Sequence, residues 1–155
     1  MLLKDIAKKF HFKNMKKMKK IIVYLALFLY SGIATAQNSL TLEIAGVKKQ
    51  GGKLYVSLFN SEQSLKEKKI YHSLVTNSID ETLNVELNLP EGEYFFSVYQ
   101  DNNSNGELDT GIMGIPKELF GFSNYDGKSV PGNFNRHKVL VNENTKKIAV
   151  HLYKI

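Results

Sequence analysis

Residues 83–99, LNVELNLPEGEYFFSVY, hold the two patterns that decide the fold. Leu83, Val85, Leu87 and Leu89 alternate with Asn84, Glu86 and Asn88. This period of two puts the apolar side chains on one face of a half-buried strand. Pro90-Glu91-Gly92 supplies the turn that follows, since Pro fixes its own φ and Gly accepts backbone conformations that other residues resist. The strand it launches, Glu93 to Tyr99, is apolar on both faces, as a strand in the middle of a sheet would be.

The same rhythm recurs on either side. Leu40, Leu42 and Ile44 alternate with Thr41 and Glu43, and the turn Lys48-Lys49-Gln50-Gly51-Gly52 leads to Leu54, Val56 and Leu58, with Tyr55 and Phe59 on the other face. Near the end, Val139 to Val141 and Ile148, Val150 and Leu152 flank the turn Asn142-Glu143-Asn144-Thr145. Short strands separated by Gly, Asn and Pro turns predict an all-β domain. The expected architecture is a single antiparallel β-sandwich, immunoglobulin- or transthyretin-like, of about seven strands with one long ordered loop.

Two connections break the rhythm. Residues 61–72 contain Ser64-Leu65-Lys66-Glu67, a capping-box pattern that predicts a short bridging helix with a solvated, lysine-bearing face. The second connection, residues 101–136, far exceeds the roughly 12–15 residues at which irregular loops become uncommon. Its Ile112, Ile115, Leu119, Phe120, Phe122, Tyr125 and Phe134 carry too much apolar surface for a disordered segment. It reads as an ordered loop packed over one end or edge of the sandwich.

The N-terminal segment, residues 1–36, reads as a secretory signal peptide and not as part of the fold. Residues 1–20 hold eight lysines and one acid, Asp5; the apolar run of residues 21–33 follows, then Ala34-Thr35-Ala36. A 13-residue apolar run is short of the about 20 needed to span a bilayer. Met15 or Met18 would give a more ordinary start than Met1. The expected mature chain, residues 37–155, is exported to the periplasm or beyond, with no membrane span after cleavage.

Removing that segment reverses the charge argument. The formal charge of +6 over the chain becomes about −1, because 13 basic and 14 acidic residues remain from position 37 on. No basic stripe with interleaved aromatics is left, so a nucleic-acid partner is not expected. The chain has no cysteine. Disulfides, thiolate metal sites and a catalytic cysteine are therefore excluded, and a lipoprotein anchor is not expected.

The long connection opens with Asp101-Asn102-Asn103-Ser104-Asn105-Gly106-Glu107-Leu108-Asp109. Oxygen-bearing side chains stand at positions 1, 3, 5 and 9 of this arc, with Gly at 6, matching the first part of a calcium loop. Alternate residues of a tight arc point inward, and Gly106 permits the sharp bend. Asp101, Asn103, Asn105, the Glu107 carbonyl and Asp109 would supply about five ligand atoms, fewer than Ca2+ prefers, and Ile112 stands where a bidentate Glu should be. Glu118 or Asp126 could complete the shell if the loop folds back. Such a site would bind weakly, at about 10⁻⁴ to 10⁻³ M. The same residues also make a turn held by Asx hydrogen bonds, with no ion.

Beyond the arc comes Gly111-Ile112-Met113-Gly114-Ile115-Pro116-Lys117-Glu118-Leu119-Phe120-Gly121-Phe122-Ser123-Asn124. The run LPEGEYFFSVYQDNNSNGELDTGIMGIPKELFGFSN resembles the signature of the DUF2141 family, exported bacterial proteins defined as a domain of unknown function. Its most specific parts are Asn-Gly-x-Leu-Asp and Gly-Ile-Pro-x-Glu-x-x-Gly-Phe-Ser-Asn. The resemblance covers roughly residues 40–155 and implies an extracytoplasmic β-domain, with no activity or ligand attached. Gln100 departs from it, standing where the family often has His before the Asp.

No catalytic constellation is legible. His72, His137 and His151 lack metal-ligand spacing, and there is no Gly-x-Ser-x-Gly elbow or phosphate-binding Gly loop. The expectation is a non-catalytic module with an envelope or extracellular ligand. The alternative is a carbohydrate- or peptide-binding domain using the aromatic loop of residues 112–134, favoured if Phe120, Phe122 and Tyr125 are exposed. A hydrolase using Asp101, Asp109 and Glu118 as acid and base is the third reading.

Overall fold

The computed structural model describes residues 37–128 and 133–154; the expected signal peptide, residues 1–36, lies outside them. The alternating segment forms β4 (Thr82–Pro90), and the doubly apolar one forms β5 (Gly92–Asp101). They belong to different sheets. β4 lies antiparallel to β1 (Gln37–Ala45), in a register unbroken from Gln37 opposite Pro90 to Ala45 opposite Thr82. On its other side β1 takes β8 (Lys147–His151), so the first sheet runs β4-β1-β8.

β5 stands at the centre of the second sheet. β2 (Lys53–Phe59) pairs along its length, and β3 (His72–Asn77) pairs with β2 beyond. On the other side of β5 lie β6 (Leu119–Phe122) and β7 (Val139–Val141), the latter against residues Gly92 to Tyr94. Two short helices, α1 (Glu62–Lys66) and α2 (Phe134–His137), accompany this sheet.

Side-chain alternation assigns the faces. Leu40, Leu42 and Ile44 of β1, with Leu83, Leu87 and Leu89 of β4, meet Leu54, Val56, Leu58, Phe96 and Val98 of the second sheet in one core. Each such side chain contributes about 1.5–3 kcal/mol on burial. The opposite face of β5 explains its second apolar set. Phe95 joins Phe59 and Phe134 in a smaller cluster, with Leu65 of α1 and Phe122 of β6 packed against it.

The expected sandwich is present, and several particulars differ from the sequence reading. Eight strands occur among the described residues. One pairing is parallel, with β8 running alongside β1 from Thr41 opposite Lys147 to Ala45 opposite His151. The capping box lies three residues earlier than Ser64-Leu65-Lys66-Glu67. Ser61 Oγ accepts the Ser64 N–H, and Ser64 Oγ accepts the Ser61 N–H, so Ser64 closes the box as a hydroxyl instead of opening it. The long connection is not only a loop, because it contributes β6 to the sheet.

β6 also closes one side of the sandwich. The Phe120 and Tyr153 main chains exchange two hydrogen bonds, at 3.0 and 2.8 Å. Gly121 makes this approach feasible, since a Cβ there would lie 2.1 Å from the His151 carbonyl oxygen.

Candidate functional site

The arc begins where β5 ends. Gln100 faces the core side of β5 with Phe96 and Val98 and is fully buried, and Asp101 beside it is fully buried as well. A buried amide must find partners for its donor and its acceptor. Gln100 Nε2 donates to the Lys48 carbonyl at 2.6 Å, and Gln100 Oε1 accepts the Lys48 N–H at 2.9 Å. The β1–β2 turn is thereby fastened to the root of the arc.

From Asp101 the chain turns back on itself through two left-handed residues, Ser104 (φ 62°) and Gly106 (φ 79°). Glycine adopts such a φ without the steric cost other residues bear. The Asp101 carboxylate accepts the main-chain N–H groups of Asn105 at 3.2 Å and Gly106 at 2.8 Å. Asn103 Oδ1 accepts the Asn105 N–H at 3.1 Å, and Asn105 Oδ1 accepts the Glu107 N–H at 2.8 Å. The side chains of Asn103 and Asn105 then reach one carboxylate from their other ends. Their Nδ2 groups donate to Asp109 at 2.6 and 3.3 Å.

The five residues singled out for calcium share one hydrogen-bonded turn, Asp101, Asn103, Asn105 and Asp109 through their side chains and Glu107, whose carbonyl is the expected ligand, through its main-chain N–H. Both Asn amides present nitrogen to Asp109 in this arrangement. Metal binding would require them to rotate so that oxygen faces the ion. Among the described residues no group of three or more His, Cys, Asp or Glu side chains is assembled closely enough to hold a metal.

Glu118 folds back onto the arc, but as a clasp. One carboxylate oxygen accepts the Asn102 N–H at 2.8 Å and the other accepts the Asp109 N–H at 3.2 Å, so it ties the start of the arc to its end. The Lys117 N–H donates to the Asp109 carbonyl at 2.8 Å alongside. The Asp126 carboxylate accepts the Lys128 N–H at 3.0 Å, a bond within its own turn. Beneath the arc, Tyr55 and Tyr99 stack at 5.0 Å, and the Tyr99 hydroxyl donates to the Gly106 carbonyl at 2.9 Å. The Tyr99 phenol is pushed up to about 12, first by burial and then by Tyr55, Asp101, Glu118 and Glu107 around it.

The loop aromatics face inward. Phe120, Tyr125 and Phe134 are buried and Phe122 is half-buried. The Tyr125 ring packs on Phe120, Phe122 and Tyr153 at 5.5–6.0 Å. His137 is 1% exposed, ringed by Phe95, Phe122 and Tyr125, with Nδ1 3.1 Å from the Asn124 carbonyl oxygen. His72 and His151 are exposed on separate strands. Two open clefts lie near the arc. One of about 490 Å³ is lined by Gln50, Lys53, Ser78 and Ser104 among others, and one of about 680 Å³ includes Thr110, Pro116, Lys117 and Lys154; neither is lined by a carboxylate.

Sequence reasoning missed the positioning roles of Gln100 and Tyr99. The signal for Gln100 was available: it continues the inward series Phe96, Val98 of β5, and a polar side chain at such a place needs partners.

Fold and site together define a small β-sandwich carrying one hydrogen-bonded acidic arc at its end, closed by a buried glutamate. The family model described as "Uncharacterized protein conserved in bacteria (DUF2141)" matches residues 42–149, and the chain belongs to that family. Searches of curated proteins and of solved structures gave no significant match.

Proposed function

We propose that the protein is an exported, non-catalytic β-sandwich module whose arc, residues 101–109, is a weak calcium site that stiffens the loop end. The observation that carries this reading is a pair of buried carboxylates at the root of the arc. Asp101 and Glu118 are 0% and 4% exposed, and each of their four oxygens accepts a main-chain N–H. Neither has a cationic partner among the described residues. Ion pairs among the described residues include Lys49–Asp80, Lys66–Glu62, Lys138–Glu93 and Lys147–Glu43, none of them at the arc. The Asp109 carboxylate, held by the Asn103 and Asn105 amides, belongs to the same turn, and the three carboxylates would have to draw closer together to share an ion. A hard divalent cation is the partner that such oxygens suit. Export rests on the basic, apolar and Ala-Thr-Ala order of residues 1–36.

Thermal unfolding of the purified protein in EDTA and in calcium tests the reading. A ligand at ten times its Kd stabilises by about 1.4 kcal/mol, which raises the midpoint of a chain this size by roughly 5 °C. Asp109→Asn should abolish the shift while leaving the fold in place, because only side-chain amides touch that carboxylate. No shift at several millimolar calcium, or an equal shift in Asp109→Asn, would refute it.

The two other readings gain less from the geometry. A carbohydrate or peptide surface built on residues 112–134 needs exposed rings, and Phe120 and Tyr125 are turned into the protein. A hydrolase built on Asp101 and Glu118 needs carboxylates open to a substrate molecule, and both side chains are buried.

A further inference from the structure

β4 is an edge strand: among the described residues its sole strand partner is β1. Exposed edges carry unpaired main-chain donors and acceptors, and monomeric proteins blunt them with charged side chains, lysine above all, and with proline, bulges or inward-pointing charge. Nine-residue β4 has no lysine, bulge or inward-pointing charge before its final Pro90, its single charge, Glu86, is engaged by the Thr41 hydroxyl of its own sheet, and its register with β1 is unbroken. The other edges are managed. Phe120 of β6 pairs with Tyr153, two residues past β8, and β3, β7 and β8 are only six, three and five residues long.

We infer that β4 pairs antiparallel with the β4 of a second copy of this chain, with Val85 on the two-fold axis. Three features favour that occupant and register. Core-facing residues must oppose core-facing residues, which excludes odd shifts. With Val85 opposite itself, Leu83 faces Leu87 on the inner side, and Asn84 faces Glu86 on the outer side, each contact occurring twice by symmetry. Shifting the axis to Glu86 would instead set two like charges directly opposite each other, a destabilising pair. Glu86 is equipped for the contact. One carboxylate oxygen accepts the Thr41 hydroxyl at 2.8 Å, leaving the other for the Asn84 amide of the second copy. Val85 supplies the independent sign. Leu83, Leu87 and Leu89 are buried, whereas Val85, on the same face between them, is only half-buried within one chain. The two-fold covers it with its own copy.

The test is sedimentation equilibrium of the protein up to about 1 mM, since a two-strand contact belongs to the small, weak class of interface. Self-association is expected, lost in Asn84→Glu, which opposes Glu86, and restored in Asn84→Glu with Glu86→Lys. Asn84 and Glu86 are exposed, so thermal unfolding should move little in either variant and serves as the folding control. The chain has no cysteine, which makes single introduced cysteines clean reporters. Directly opposed Cα atoms lie about 4.5–5.5 Å apart, within disulfide reach. Val85→Cys should therefore cross-link on mild oxidation and Asn88→Cys should not. A monomer at every concentration, a dimer indifferent to Asn84→Glu, or equal cross-linking at both cysteines overturns the inference.

Discussion

Gln100 and Lys48 are joined twice: the side-chain amide of the first donates to the main-chain carbonyl of the second and accepts its main-chain N–H, at 2.6 and 2.9 Å. One side chain thus imitates a β-ladder step between the β1–β2 turn and the end of β5. Both of its polar atoms are needed, and they lie on the same planar group.

Gln100→Ala removes both bonds at a fully buried position and should cost about 2 kcal/mol. Gln100→His presents one ring to two main-chain groups and should recover only part of that. Urea unfolding checks both variants. The midpoint should fall with an unchanged slope, because the extent of the folded surface does not change.

The Glu118 clasp gives a sharper prediction. Glu118→Gln keeps one acceptor but turns an amide N–H toward the Asn102 or Asp109 N–H. It should destabilise the protein by roughly 2–3 kcal/mol, since bonds to a charged acceptor are the stronger kind. Hydrogen exchange should accelerate at the Asn102 and Asp109 amides ahead of the β5 amides. Uniform acceleration across the domain would mean that the clasp has no local role.

Two glycines separate backbone strain from lack of room. Gly106 is left-handed, yet the nearest atom to an added Cβ, the Tyr55 hydroxyl oxygen, is 3.7 Å away. Gly106→Ala should cost about 1–2 kcal/mol through φ alone. Gly121→Ala puts its methyl carbon 2.1 Å from the His151 carbonyl oxygen, so main chain must move. Its cost should reach roughly 3 kcal/mol or more, with Tyr153 losing its amide protection as β6 and β8 part.

Alkaline pH should unfold the domain through two tyrosines. Tyr94 is pushed up to about 12, chiefly by burial and then by Tyr71, and Tyr99 rises to about 12 as well. The folded protein therefore keeps both protons after the unfolded chain, titrating near 10, has released them. The associated stability is complete below pH 10 and is lost as pH rises from 10 towards 12. Unfolding midpoints measured across that window should fall, less steeply in Tyr94→Phe and in Tyr99→Phe. Tyrosinate absorbance provides the direct titration.

Much of this architecture is written in short-range pattern, and the exceptions have physical causes. β4 and β5 are legible because burial on one face or two imprints alternation or its absence. β3 is obscure because it lies at an edge: its inward Leu74 and Thr76 are only half-buried, while Val75 points outward at 51% exposure. β6 is hidden by Gly121, whose missing side chain satisfies a steric need at the seam and leaves no hydrophobic signal. The parallel placement of β8 depends on which strands become neighbours, and period two carries no information about that. Within the arc, the spacing of Asp101, Asn103, Asn105 and Asp109 announces an inward-turned loop. The spacing leaves open which atom of each amide faces Asp109, a choice made by the neighbouring main-chain N–H groups. Glu118 was legible as a carboxylate able to reach the arc; its bond partners were not.

The parallel partnership of β1 and β8 also sets the tempo of folding. Glu43 and Lys147, which form an ion pair across that contact, are 104 residues apart in the chain. Such distant closure must be entropically met before it is rewarded, and topologies dominated by it fold in milliseconds to seconds. Until residues 147–151 are available, β1 has one side without its ladder. A nascent or truncated chain ending before residue 147 therefore leaves β1 without its β8 partner, and the β4-β1-β8 sheet forms only when β8 arrives.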